Sequence, residues 1–419
     1  MTPLALLPIR SAFRFNPRAP NFQSDPYPCY ALMRHERPVH RVGGALILTR
    51  REHVGAALAN RDLGAESHFA AILALAAKWR IDMPDRVQND IARLLAPEHH
   101  ELHAEYAPLR EWVDNALSRR SLAAMRAIMR VTVESRLALI KASRRSTLDL
   151  VQEVAQPLWP DVLAASSGLA EQQRRRLHHL GRTAQLLLDP GRLSPSNLAS
   201  LVAAVDELHR MFATAYRQQS PRGAVPNLFW WLETAWTPAV GDVEDKIPLA
   251  GMLLLLAGSE TASALTGNLF NILADRPELM AELRAKPDSS AAFVAETLRY
   301  DAPRQMARRI ALQDTRAADL PVRRGDAVLL CVASANRDET CIEGAERFDP
   351  HRERVSPLSA GSGIDGALSQ ALAQTQAEVT LEAFLSCFAR FERTPDGTIW
   401  QTSSPDLRTL EHLSLRVGP

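Results

Sequence analysis

The sequence predicts a mainly α fold with a minor β region, formed as one domain over residues 1–419. Three observations predict it. Residues 243–274 read as one long helix whose first half is apolar on every face. Apolar side chains recur at helical spacing through most of 101–217. Strand-like alternation is confined to short runs near the two ends of the chain. Helices so outweigh strands that the chain is expected to class as all-α apart from those runs.

The elements follow in order. Prolines crowd the first forty residues (Pro3, Pro8, Pro17, Pro20, Pro26, Pro28 and Pro38), which favours an extended lead-in over helix. Residues 39–49 alternate around Gly43-Gly44, the pattern of a hairpin. In 101–217, Leu109, Val113, Ala116 and Leu117 share a helical face, as do Leu122, Met125, Ile128 and Met129. Pro190 and Pro195 are expected to break this helical region once. The helix over 243–274 must run through the interior, because an all-round apolar surface has no place in water. Pro277 opens a short helix, and 289–300 forms another. Residues 308–333 turn strand-like, with Ala327-Val-Leu-Leu-Cys-Val following a turn at Arg324-Gly325-Asp326. A loop-rich stretch spans 336–366, a last helix covers about 367–389, and short strands close the chain. No linker divides it.

Composition narrows the function. A net charge of +1 gives no general attraction to nucleic acid or to an anionic membrane. Arg174-Arg175-Arg176, beside His178 and His179, reads as the solvated face of a helix. The four cysteines, Cys29, Cys331, Cys341 and Cys387, form no C-x-x-C pair, and a reducing cytoplasm suits them. Pro8 interrupts the short apolar stretch near the start, so no signal peptide is expected. The longest apolar run, 247–258, falls short of the roughly 18–20 residues of a membrane span. His99 and His103 lie four apart and could share a metal on a helix, but no third ligand is evident and the zinc-protease spacing is missed by one residue. No metal is expected.

Three motifs now stand in order. Ala257-Gly258-Ser259-Glu260-Thr261 lies midway along the long helix. Glu296-x-x-Arg299 lies on a later helix. Ala335-Asn-Arg-Asp338 precedes Arg347-Phe-Asp-Pro-His-Arg352. Together they resemble the cytochrome P-450 family over nearly the whole chain. The resemblance implies a triangular-prism architecture around a long central helix. It implies a buried triad of Glu296, Arg299 and Arg352, and Glu296 and Arg299 are spaced to share a helix face. It also implies that Glu260 and Thr261 form the acid–alcohol pair that moves protons beside the haem. A carboxylate in an apolar helix is costly unless used or satisfied. The blander alternative is that Thr261 bonds back to its helix and Glu260 meets an arginine.

The resemblance fails at the haem loop. The family reads Phe-Gly-x-Gly-x-His-x-Cys-x-Gly there, and its thiolate is the axial ligand that drives O–O cleavage. Counted back from Leu372-Ala373, Gly361 and Gly363 keep the early glycines. Ala360 replaces the aromatic residue, Asp365 the histidine, Ser369 the late glycine and Ala367 the cysteine. The family's His-x-x-x-Arg becomes Tyr106-Ala-Pro-Leu-Arg110, and Arg309 matches a later propionate arginine. Either arginine could bind another anion.

Three functions follow from this resemblance. In the first, a haem-free protein of natural-product biosynthesis binds a small, largely apolar metabolite, free or carrier-bound, in the former haem and substrate cavity. Glu260, helped by Thr261, acts as acid or base in a dehydration, isomerisation or cyclisation, and burial of Glu260 is expected to suit it to that role. In the second, the protein is a non-catalytic partner of another biosynthetic enzyme, such as a glycosyltransferase. In the third, it is a monooxygenase that holds haem through an unusual ligand. The region 180–227 is expected to cover the cavity mouth.

Overall fold

A computed structural model describes residues 15–95, 103–117, 119–218, 227–353, 355–358 and 366–418. Its organising element is the central helix, Val243–Ala274. The Asp242 side chain accepts the Glu244 N–H at its start, and Glu244 and Asp245 occupy the first turn, where the helix dipole favours negative charge.

Other helices pack around it. Pro195–Gln218 crosses it at Gly251, where a Cβ would sit only 2.6 Å from the Phe212 ring. Gln156–Ser166 crosses at Gly258, where a Cβ would fall 2.2 Å from the Trp159 indole. The Trp159 indole N–H donates to the Leu254 carbonyl at 2.9 Å. Both glycines therefore serve close approach rather than bending. The last helix, Ala367–Cys387, lies against the central helix too, and buried Ser369 donates from Oγ to the Ala257 carbonyl at 2.7 Å. The largest apolar cluster is built around these four helices.

The described strands are β1 (Val39–Val42), β2 (Ala45–Leu48), β3 (Leu63–Ala65), β4 (Thr147–Asp149), β5 (Ala307–Ala311), β6 (Thr315–Ala317), β7 (Leu320–Val322), β8 (Ala327–Leu330), β9 (Arg390–Trp400) and β10 (Leu410–Gly418). One sheet has the order β1-β2-β8-β5-β3, a second β4-β10-β9, and β6 pairs with β7. β2 and β8 run parallel; their neighbours in these sheets run antiparallel. The expected hairpin is β1–β2, with Gly43 and Gly44 at φ 57° and 83°, the left-handed pair a tight hairpin turn requires.

Three expectations need correction. An all-α label does not hold, because three sheets contribute to the described fold. The proline-rich lead-in is helical at Pro20–Ser24 and Tyr27–Glu36. Pro20, Pro26 and Pro28 stand at the N-cap or in the first turn, where a missing N–H costs nothing. The helical region over 101–217 is broken more than once: β4 interrupts it at Thr147–Asp149, and Ser167-Gly168 ends another helix. The central helix meets the length and composition of a membrane span, but 83% of its most apolar window is buried inside the protein, as in a core helix. Its apolar run stops at Ser259-Glu260-Thr261 and then resumes.

Candidate functional site

The triad residues come together. Glu296 Oε1 and Oε2 accept from Arg299 Nη2 at 2.7 Å and Nε at 2.9 Å. Arg352 Nε donates to Glu296 Oε1 at 3.2 Å, and the Asp349 N–H joins it at 2.9 Å. Arg299 also donates to the carbonyls of Asn336, Ala345 and Arg347. The helix Ser290–Tyr300 is thereby fixed to the loop that follows β8. Arg337, in the same loop, is stacked between the rings of Tyr27 and Tyr300 at 3.3 and 3.6 Å, a cation–π sandwich that the sequence did not announce.

Glu260 lies on the central helix, half-buried, with Oε1 3.5 Å from Arg192 Nη1. Deep burial, the basis for expecting a shifted carboxyl, is therefore not what the residue has. Its side chain is 23% exposed and faces a guanidinium. Ser259, not Thr261, bonds back to the helix, from Oγ to the Leu255 carbonyl at 2.5 Å. Thr261 is half-buried and is not among the residues that line the adjoining cleft.

That cleft encloses about 700 Å³. Its floor is Ser259, Glu260 and Ser263 of the central helix. One wall comes from the helix Glu171–Ala184 and the turns after it, with His178, Arg182, Gln185 and Arg192. The opposite wall comes from the β9–β10 connection and β10, with Gln401, Thr402, Ser403, Thr409 and His412. Gln152 and Gln156 close one end. Polar side chains are the more numerous in the lining, and Pro157, Gly181 and Leu410 contribute to its apolar share.

Two histidines are held in place at its edge. His178 Nε2 lies 2.8 Å from Asp161 Oδ1, and Arg136 pairs with the other oxygen of Asp161. Burial pushes the Asp161 carboxyl up, but the hydrogen bond from His178 and the charge of Arg136 outweigh it and hold the group below its usual range. His412 Nδ1 lies 2.5 Å from Asp149 Oδ2. The sequence treated His178 as an appendage of a basic surface run. Arg176 does remain on that surface, paired with Glu207, while His178 turns inward two residues later. Arg192, Gln185, Ser263 and His412 carried no sequence signal, because the cleft gathers them from separate elements.

Arg110 and Arg309 are not among the residues that line the cleft. Arg110 Nη2 donates to the Leu94 carbonyl at 3.0 Å, and Arg309, buried on β5, donates from Nη1 to the Arg308 carbonyl at 3.2 Å. The side chains of Tyr106 and Ala367 lie outside the described residues, as do His99, His100, Ala360, Gly361, Gly363 and Asp365 and the side chain of His103. Ala367 is the first residue of the last helix. Among the described residues no group of three or more His, Cys, Asp or Glu could hold a metal ion. Cys331 is buried in an apolar cluster with Tyr30, Ile47 and Met306, and burial pushes its thiol far up. Burial also raises Cys29, to about 11, and Cys387. Cys387 ends the last helix, and Cys341 is exposed.

Comparison with known proteins bears on this arrangement. The family description Cytochrome P450 matches residues 290–352, the segment that carries the triad. Cytochrome P450 107B1 of Saccharopolyspora erythraea is 28% identical over 95% of this chain and 96% of its own length. Cytochrome P450 109 of Bacillus spizizenii is 29% identical over 67% of this chain and 69% of its own. Among solved structures, CalO2 superposes with a TM-score of 0.82 at 24% identity, covering 97% of this chain and 99% of that one. P450 RauA, complexed with a biosynthetic intermediate of aurachin RE, gives 0.78 at 27% identity, covering 96% and 98%. The ordered motifs, the assembled triad, the central helix and these likenesses agree: the chain belongs to the cytochrome P450 superfamily.

Proposed function

We propose that this protein is a haem-free member of the superfamily that acts in natural-product biosynthesis. It binds a small metabolite in the cleft against the central helix and carries out a non-redox step with Glu260 as acid or base. The observation that carries this reading is the place of Glu260, on the floor of a 700 Å³ cleft and opposite Arg192. A carboxylate there can take a proton from a bound substrate or return one to a departing hydroxyl, while Arg192 steadies the charge that remains. Dehydration, isomerisation and cyclisation all fit that exchange.

The donor set does not fit haem. The first turn of the last helix offers alanine where the family has its thiolate, and Cys387 is twenty residues on, roughly 30 Å along a helix rising 1.5 Å per residue. Burial opposes thiolate formation at Cys29, Cys331 and Cys387. A carboxylate such as Asp365 is not the soft donor that the chemistry uses. No step is therefore assigned to iron. The structures of P450 RauA with an aurachin intermediate and of P450epoK with epothilone D support the biosynthetic setting, and P450BioI with a lipid-loaded acyl carrier protein supports a carrier-bound substrate as one form of it. A reducing cytoplasm suits the four free thiols.

The test is spectroscopic first. Protein expressed with haem precursor should show no haem band, oxidised or reduced with carbon monoxide. A thiolate-type carbon monoxide band would refute the haem-free reading. Glu260→Gln should then abolish product formation by extracts that supply the substrate, with the fold intact; full activity would remove Glu260 from catalysis. A second reading, as partner of another enzyme, is favoured by two exposed tryptophans, Trp230 and Trp236. It predicts that E260Q keeps its pathway function and that replacing both tryptophans abolishes it.

A further inference from the structure

Two buried polar side chains in the cleft lack partners. Gln185 is 7% exposed, and neither its Nε2 nor its Oε1 meets a hydrogen-bonding group. Ser263 is 6% exposed, and its Oγ is equally unpartnered. Both line the cleft, from opposite sides of the boundary between the turn Gln185–Leu188 and the central helix. Native proteins rarely leave such groups unmet, so each marks a place that something else fills.

Their chemistry restricts the occupant. A primary amide with both ends free offers two donors and an acceptor, and a hydroxyl offers one donor and two lone pairs. Adjacent hydroxyls match that set. The charges in the lining balance: Glu260 faces Arg192, and the exposed Arg182 and Glu411 add one charge of each sign. The facing wall supplies more amides and hydroxyls at Gln401, Thr402, Ser403 and Thr409. Among the described residues no Phe, Tyr or Trp lines the cleft. A volume near 700 Å³ lies within the usual range for small-molecule sites.

We infer that the cleft recognises a neutral polyhydroxylated group, a glycosyl or cyclitol unit, through Gln185 and Ser263. This deepens the proposed function and rests on its choice of the cleft as the reaction site. Gln185 accepts from one hydroxyl and donates to its neighbour, while Ser263 holds the ring edge nearest Glu260, three residues before it on the same helix.

The test is saturation-transfer NMR on the full chain. Methyl β-glucoside, methyl α-mannoside and myo-inositol are compared with decanoate and cyclohexanone. At least one polyol should bind, and Gln185→Leu and Ser263→Ala should each weaken it about tenfold or more, the loss of one or two hydrogen bonds. Thermal unfolding accompanies each variant. Q185L should melt no lower than the parent, since it removes an unmet polar group. If Q185L proves unfolded, S263A alone carries the test. Binding of the polyol unchanged in S263A, or binding of only the apolar probes, overturns the inference. So does a crystal soaked with all three polyols that shows nothing but ordered water on Gln185 and Ser263. Polyol binding with unchanged turnover in E260Q would instead refute the acid–base role and leave this recognition standing.

Discussion

Glu296→Gln should cost about 3–5 kcal/mol, as expected when one member of a buried ion pair is removed. The carboxylate accepts four hydrogen bonds: two from Arg299, one from Arg352 and one from the Asp349 N–H. The Arg299 side chain is 1% exposed and cannot turn to water. An amide keeps the volume but cancels the charge and puts an NH2 against donors. Arg299 retains three backbone carbonyls, which limits the loss without removing it. Arg352→Ala should cost less, about 1–2 kcal/mol, because Arg352 gives Glu296 one bond of 3.2 Å, is 13% exposed, and its other bonds go to the exposed carbonyls of Glu343, Gly344 and Arg347, which water can reach. The double variant should reveal a coupling of about 0.5–3 kcal/mol. Urea unfolding at pH 7 measures all three through the midpoint, with the slope as a check on the unfolded state. Against a total stability of about 5–15 kcal/mol the effect of E296Q is easily read. A loss under about 1 kcal/mol in E296Q, or an R352A loss equal to it, would refute the view that the buried Arg299 charge governs the triad.

Other substitutions probe other forces. Gly258→Ala should cost about 1–3 kcal/mol by driving a methyl into the Trp159 indole, whereas Gly267→Ala, whose nearest neighbour would be Val151 at an ordinary 3.5 Å, should be neutral or stabilising by up to about 1 kcal/mol; urea midpoints of the pair decide it. Asp338 is held below the usual carboxylate range: burial raises it, but the Arg51 N–H at 2.7 Å and the Thr340 hydroxyl and N–H outweigh burial. Its contribution is therefore present above the unfolded value near pH 3.9 and is lost as pH falls through the folded one, so Asp338→Asn should destabilise at pH 7 and approach the parent in acid melts. Asp406 has the opposite sign, because burial raises it more than Arg304 lowers it. Asp406→Asn should raise the melting temperature at pH 7, and that gain should vanish below about pH 4, where both states are protonated.

Much of the fold was legible because its signals are local. The central helix announced itself by apolar residues on every face, and the hairpin by Gly43-Gly44 between alternating runs. The triad was legible because Glu296 and Arg299 share one helix turn and Arg352 follows in a recognisable run. The failures have equally local causes. Prolines at first-turn positions look like breakers until the helix start is known. β4 is only three residues long, and its partner β10 lies some 260 residues later, so no window of sequence could pair them.

The site was harder to read for a reason that bears on its chemistry. Glu260 was noticed because a carboxylate interrupts an apolar helix, and a largely apolar ligand was what the family resemblance implied. The helix has two environments, however. Its apolar faces are consumed by packing, against Phe212 at Gly251, Trp159 at Gly258 and the first turn of the last helix at Ala257. What remains for a ligand on the cleft side is the turn of Ser259, Glu260 and Ser263, met by amides, hydroxyls and histidines from elements 70 to 150 residues away in sequence. Burial alone therefore does not describe Glu260. A charged partner at 3.5 Å and a cleft with many amides and hydroxyls set its surroundings, and under the proposed function they favour a ligand that carries hydrogen-bonding groups.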